Sequence, residues 1–194
     1  MMVFQLFSTL LAWRKRRADS AAEETAPIVI RPVRPADEPL LVAFFNGLSP
    51  RSRHRRFHGV VNELPPDIVS RFVHPDGRDE LALVAVVKHG GKEMVIAEAR
   101  YALCGNKTRS AEFAIVVADS SQGHGLGTRM LRSLMRRAAE NQITKLYGDV
   151  LPDNGAMLRL AGAFGFRQRR DPDDPRLLRV EKTVLAGRAT TVTH

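Results

Sequence analysis

Cysteine is almost absent from this 194-residue chain, Cys104 being the only one. An internal disulfide is therefore impossible, and so is a metal site built from several thiolates. Cys104 closes the apolar stretch Tyr101-Ala102-Leu103, where a lone thiol reads as a small core hydrophobe rather than a nucleophile. Such cysteine usage fits a reducing, cytoplasmic setting. Aromatic residues are scarce as well, at 6% with one Trp, so the core must be assembled from Leu, Val, Ile and Ala. That favours an α/β protein whose sheet is made of β-branched runs. The apolar stretch from Met1 to Trp13 falls short of the roughly 20 residues that span a bilayer. Its positive charges, Arg14-Lys15-Arg16-Arg17, follow the apolar run, whereas a secretory leader carries them first. As a helix it would gather Val3, Phe4, Phe7, Leu10, Leu11 and Trp13 on one face, which suits weak contact of residues 1–17 with an anionic membrane surface. An unstructured N-terminus is the favoured reading.

Apolar residues make up 44% and charged residues 26% of the chain, the proportions of a soluble globular protein. The length fits one domain with tails. Thirty basic against 21 acidic residues give a net charge of +9. This raises the question of nucleic acid. Residues 27–185 hold 25 of the basic and 18 of the acidic side chains, interspersed. No recognition-helix pattern, zinc finger or aromatic-interleaved basic strand accompanies them, so no specific nucleic-acid partner is expected. A polyanionic cofactor or an acidic protein surface accounts for the charge equally well.

The pattern of turns and periods divides the chain into an N-terminal apolar/basic segment and linker (1–27), a body (28–186) and a Thr-rich tail (187–194). In the body, Ile28–Arg31 reads as a strand stopped by Pro32 and Pro35, and Asp37–Asn46 as a helix ended by Gly47. The basic stretch Arg51–His58 follows, then a short helix from Pro65 to Phe72. Leu81–Val87, Val95–Leu103 and Glu112–Ala118 read as strands joined by Gly90-Gly91 and Gly105-Asn106 turns, an antiparallel meander. At Leu126 the apolar period changes to that of a helix: Leu126, Met130, Leu131, Leu134, Met135 and Ala138 share a face. A strand at Leu146–Leu151, a helix opened by Asn154 and ended at Gly165, and a strand at Leu177–Leu185 complete the order β-α-α-β-β-β-α-β-α-β. The fold class expected is α/β (α+β), with a mostly antiparallel sheet flanked by helices.

Between strand and helix lies Gln122-Gly123-His124-Gly125-Leu126-Gly127-Thr128. A Gly-rich bend at a helix N-terminus presents unpaired N–H groups and partial positive charge to a phosphate, with no Cβ in the way. The pattern alone does not distinguish nucleotide-binding folds. A Walker loop needs Lys-Ser/Thr after the last glycine, and here Thr128-Arg129 follows. A dinucleotide fold would not place an antiparallel meander before the loop. Gln122-x-x-Gly125-x-Gly127 resembles the acetyl-CoA pyrophosphate loop of the GNAT superfamily of N-acetyltransferases. Asn154-x-x-Met157-Leu158-x-Leu160-Ala161-x-x-Phe164-Gly165-Phe166 resembles that superfamily's second motif. Within the superfamily, Leu48-Ser49-Pro50-Arg51-Ser52-Arg53 with Arg56-Phe57, and Ala111-Glu112-Phe113-Ala114, look like the catalytic domain of bacterial protein lysine acetyltransferases.

The resemblance, spanning about residues 28–185, implies a GNAT-type mixed sheet in which two parallel strands, Glu112–Ala118 and Leu146–Leu151, splay apart. Backbone groups of Ile115, Val116 and Val117 would pair with the pantetheine amides of acetyl-CoA, the co-substrate. Gln122, Gly123, His124, Gly125, Leu126, Gly127 and Thr128 would hold its pyrophosphate, His124 through its backbone N–H. Glu112 becomes the general base for an amine acceptor, against the alternative of a strand-end Glu facing water. Asn154 would contact the pantetheine, act as an N-cap, or both. Ala161 stands where many members carry the Tyr that protonates the leaving thiolate. Tyr147 is a weak substitute and Tyr101 the only other tyrosine. Arg51, Arg53, Arg55 and Arg56 either steer an acidic acceptor surface or form a solvated helix face with one or two structural ion pairs. Arg129 lies near enough to the loop to meet a coenzyme A phosphate. His54, His58 and His74 lack metal-ligand spacing and read as loop residues, and no metal is expected. The activity implied is direct acetyl transfer to an amine, a protein lysine. A small-molecule amine acceptor and a non-catalytic acyl-CoA-binding regulatory module are the alternatives.

Overall fold

The computed structural model describes residues 27–59, 64–104 and 109–184. The amphipathic reading of residues 1–17, most of the linker and the Thr-rich tail lie outside the described residues. A seven-stranded sheet runs in the order β1-β2-β3-β4-β5-β7-β6. Its strands are β1 (Val29–Pro32), β2 (Glu80–His89), β3 (Lys92–Leu103), β4 (Ser110–Val117), β5 (Lys145–Val150), β6 (Arg167–Arg170) and β7 (Leu178–Thr183). The helices are α1 (Glu38–Asn46), α2 (Pro50–Phe57), α3 (Pro66–Val73), α4 (Leu126–Glu140) and α5 (Gly155–Ala163). All strand pairs are antiparallel except β4 with β5. The mixed sheet and its one parallel pair are those expected.

Alternation along the strands sends side chains to two cores. On one face Leu81, Leu83, Ala97, Ala99, Tyr101, Ala111 and Phe113 pack with Leu126, Met130, Leu131, Leu134 and Ala138 of α4, all buried. On the other, Ala82, Val84, Val86 and Val116 pack with Leu41, Phe44, Phe45 and Val73 of α1 and α3. The α4 stripe is the one its period predicts. Among the described residues no helix is long and apolar enough to cross a membrane.

Three expectations need correction. The basic stretch 51–58, absent from the expected element order, is largely a helix, α2, although none of its residues is fully buried. It is specified by its ends: the Ser49 side chain accepts from the Ser52 N–H at 3.2 Å, Pro50 takes the first turn, and His54, Arg55 and Arg56 occupy the last. β6 was not expected either. Its four residues, Arg167-Gln168-Arg169-Arg170, are exposed and polar, so no alternation marks them. Cys104, finally, is exposed at the end of β3 rather than a core residue.

The parallel pairing of β4 and β5 lasts three residue pairs, ending at Glu112↔Tyr147. Cys104 N–H donates to Ser110 O and Ala118 N–H to Ile96 O, each at 2.9 Å. In an antiparallel ladder this means the even-numbered residues of β4 turn their polar groups to β3. Phe113, Ile115 and Val117 therefore turn theirs toward β5, from which β4 has already parted. Gly148 sits at the fork: a Cβ there would lie 2.8 Å from Phe113 O and 3.2 Å from the Phe113 ring. Replacing it with alanine (Gly148→Ala) must push the two strands apart. It should cost about 1–3 kcal/mol of stability, read as a lower denaturation midpoint at unchanged slope, and an unchanged midpoint would show that the fork can relax freely.

Candidate active site

Between β4 and the start of α5 lies a groove lined by Ile115, Val116, Val117, Gln122, Asn154 and Met157, among others. Gly123 and Gly125 both adopt positive φ, 80° and 77°, a conformation that side chains resist. The bend they make leaves the backbone N–H groups from Gly123 to Thr128 without an acceptor among the described residues. These donors crown the N-terminus of the fifteen-residue helix α4, an arrangement suited to a phosphate. Gly127 packs on α5, its missing Cβ 3.4 Å from Leu160.

The predicted cofactor residues divide by what each can offer. Ile115 turns its backbone groups, and Val117 its N–H, toward the opening, whereas the Val117 carbonyl is already taken by a side chain. Val116 lines the groove, but its polar groups belong to the β3 ladder and its side chain to the second core. The Gln122 side chain is structural, its Nε2 donating to Val117 O at 3.0 Å and Ser52 Oγ at 3.3 Å. Leu126 is buried in the core and His124 points away from the groove lining, so both can act only through backbone N–H groups. Asn154 caps α5, its Oδ1 accepting from Met157 N–H at 3.3 Å, and also lines the groove.

Helix α2 spans the groove. At its start, Asp119 accepts from Ser49 N–H (2.9 Å), Ser49 Oγ (2.8 Å) and Ser52 Oγ (2.7 Å). At its end, Arg55 donates to Asp153 O at 2.6 Å and to its carboxylate at 3.0 Å. One helix thus ties the strand that precedes the Gly-rich bend to the turn that precedes α5. Arg51 also lies 3.7 Å from Asp153 but is 70% exposed. The structural ion-pair reading therefore holds for Arg55. Arg129 donates to Ile28 O at 3.1 Å, a contact that its place in the sequence does not signal.

Glu112 stands at the last paired residue of β4, where two further cavities meet. One is lined by His58, Gly148, Asp149 and Asn154, the other by Phe72, Arg71 and Arg100. Its carboxyl keeps an open side to solvent, yet its pKa is raised, first by burial against the cleft walls and then by the Asp149 charge, while Arg56 and Arg179 oppose the rise. Asp149 is held by both nitrogens of an Arg179 fork, at 2.9 and 3.0 Å. Arg179 also pairs with buried Asp171. His58, which closes α2 with φ 54°, bonds the Asp149 backbone, and burial lowers its pKa. It was read as an ordinary loop histidine. Nothing in its immediate sequence signals this placement, which depends on α2 delivering it to the cavity.

Neither tyrosine takes the place of the missing thiolate acid on α5. Tyr101 is buried on the far face, accepting from Asn141 Nδ2 at 2.6 Å and donating to Arg78 O at 3.1 Å. Tyr147 lies beside the fork, its pKa raised by burial and by hydrogen bonding to Cys104. Ala161 is fully buried, and the α5 side chains lining the groove are Ala156, Met157 and Leu160.

A mixed sheet forked between two parallel strands, with a helix N-terminus at the mouth of the fork and a carboxylate at its apex, defines an N-acetyltransferase. The profile of the acetyltransferase (GNAT) family matches residues 51–166, and the chain belongs to that family. It is 35% identical over 147 residues to Acetyltransferase PA5475 of Pseudomonas aeruginosa, covering 76% of this chain and 78% of that one. Identity to Acetyltransferase Pat of Mycolicibacterium smegmatis is 30% over 139 residues, 70% of this chain but 40% of the relative. The crystal structure of the GNAT domain of S. lividans PAT superposes with a TM-score of 0.74 at 29% identity, covering 80% of this chain and 90% of that one. The likeness to bacterial protein lysine acetyltransferases read from Leu48–Phe57 and Ala111–Ala114 agrees with the last two.

The Glu112–Asp149 coupling has a measurable sign. In the base role that the resemblance implies for Glu112, activity is lost as pH falls through its raised pKa. Neutralising its like-charged neighbour in Asp149→Asn lowers the pKa, so the acid limb of kcat/KM should move to lower pH. A limb that stays in place would show that Asp149 does not act on Glu112.

Proposed function

We propose that the protein transfers the acetyl group of acetyl-CoA directly to a primary amine, a lysine side chain of a protein. The observation that carries this is the position of Glu112, at the last paired residue of β4, on the wall common to two cavities, one of which adjoins the groove at Arg56 and Ile115. The pantetheine arm would lie along β4, bonded to the backbone groups of Ile115 and to the Val117 N–H as an added strand. Its pyrophosphate would rest on the N–H groups of Gly123 to Thr128, with Asn154 beside the arm. The acceptor would enter from the face of α2 and meet Glu112 as an ammonium ion. A lysine has a pKa of about 10.4, so a carboxylate of raised pKa must take its proton before attack. Arg51, exposed at the start of α2, would meet acidic groups around the target lysine.

No thiol is placed to carry the acetyl group. Cys104 hydrogen-bonds to Tyr147 and lies outside the groove lining, which favours a single direct transfer over a covalent relay.

Glu112→Gln should lower turnover by about 10²-fold or more while leaving acetyl-CoA affinity within a few-fold. Rate measurements paired with calorimetry read both quantities. Undiminished turnover removes Glu112 from the chemistry. Mass spectrometry of lysine-containing proteins set against polyamines and amino acids tests the acceptor, and acetylation of small amines alone would end the protein-lysine reading.

A further inference from the structure

The groove and both cavities share one side chain, Arg56. It projects from α2 and is nine-tenths buried, with 10% of its side chain exposed. Its Nε has no hydrogen-bond partner, and the nearest carboxylate oxygen, Glu98 Oε2, lies 3.7 Å away, likewise without a hydrogen bond. Glu98, fully buried on β3, gives its other oxygen to Arg100 Nε. Arg100 is further held by a bond to Phe72 O at 3.3 Å and by stacking over the Phe72 ring at 3.5 Å. One carboxylate is thus shared between two guanidiniums, and Arg100 has the better claim on it. The residual positive charge belongs to Arg56. Beyond Glu98 its guanidinium has the Phe57 and Phe72 rings, at 5.0 and 5.8 Å. A buried ion paired this weakly is costly, and here its charge lies at the point where cofactor groove and acceptor cavities join.

We infer that Arg56 is a catalytic residue whose guanidinium stabilises the oxyanion formed when an amine attacks the acetyl thioester. The inference rests on the acetyl-transfer reading above. Glu112 first takes one proton from the acceptor ammonium. The nitrogen lone pair then forms the new C–N bond, and the C=O π pair moves onto oxygen as an alkoxide facing Arg56. Collapse restores the carbonyl and breaks the C–S bond. The coenzyme A thiolate leaves with that electron pair and is protonated at the expense of the remaining surplus proton on nitrogen, while Glu112 returns its proton to solvent. Once Glu112 is protonated its negative charge no longer offsets Arg56, so the guanidinium field is strongest when the alkoxide appears. A preorganised cation in a water-poor site acts on developing charge without reorganising. Because Arg56 also favours the thiolate, it eases departure in a site whose second-motif helix supplies no acid.

The test is single-turnover acetyl transfer, acetyl-CoA titration and thermal melting on the full chain, for wild type, Arg56→Met, Arg56→Lys, Arg100→Met and Glu112→Gln. Arg56→Met should slow transfer by about 10²-fold or more, with acetyl-CoA affinity within about threefold. Arg56→Lys, a cation without the planar fork, should fall between it and wild type. Arg100→Met also deprives Glu98 of a partner, but it should slow transfer less than tenfold. Removing the Arg56 charge should in addition move the acid limb of the pH–rate profile to higher pH, since Arg56 holds the Glu112 pKa down. If Arg56→Met does not fold, Arg56→Lys carries the test, with a rate loss of about tenfold at unchanged affinity expected. Equal losses in the Arg56 and Arg100 variants would trace the effect to Glu98 and overturn the inference, as would a rate within fivefold of wild type. Loss of activity in Glu112→Gln alone would leave acetyl transfer standing and remove Arg56 from it. A wild type that acetylates no amine removes both.

Discussion

The short parallel ladder between β4 and β5 is the constraint from which the site follows. Strands that stay paired use their backbone groups on each other; strands that part after three residue pairs leave the polar groups of Ile115 and the Val117 N–H facing an opening. The parting is built in at Gly148, whose bare backbone comes so close to the Phe113 carbonyl that no other residue fits without displacement. What keeps the opening from closing is α2. This helix contributes little to the core and is instead fastened at its two ends, to Asp119 on one bank and Asp153 on the other. Its energetic role is polar and local, and its structural role is to hold a gap of fixed width.

Charge is distributed unevenly about that gap. At the last paired residue of β4, Glu112 and Asp149 bring like charges together, and the Arg179 fork, itself anchored by Asp171, keeps Asp149 in place. Crowding two carboxylates against partly desolvating walls raises the affinity of Glu112 for a proton, which suits a base that must act on an ammonium. Deeper in the sheet, Glu98 with Arg56 and Arg100 forms a buried group with one carboxylate too few. A fold selected only for stability would fill that volume with apolar side chains at equal or lower cost. That imbalance, at the meeting point of three cavities, is the basis of the role inferred for Arg56.

The parts of the fold with strong periodicity were legible from the residues. The α4 stripe, the Gly-rich bend before it, the Asn154 cap and the antiparallel meander all carry local signals, and their positions hold to within a few residues. The elements missed have no apolar period. α2 is polar all round and is specified by capping and by ion pairs to segments about 70 and 100 residues away. β6 is an exposed Arg-rich edge strand held by pairing with β7. Cys104 follows three apolar residues yet ends on the surface, because β3 runs out of the sheet there. The Arg129 contact with Ile28 O likewise depends on where β1 lies.

By itself the sequence determined that one mixed sheet would form, that a helix would begin at a Gly-rich bend competent for phosphate, and that Glu112 would stand on the strand leading to it. Those properties reside in side-chain period, glycine placement and motif spacing, all encoded over short stretches of chain. Only the tertiary structure decided that β4 and β5 fork at Gly148, that α2 bridges the fork, and that Arg56, His58 and Asp149 gather around Glu112. These depend on close approach between distant segments and on how buried charges are shared among them, and neither quantity exists until the chain has folded.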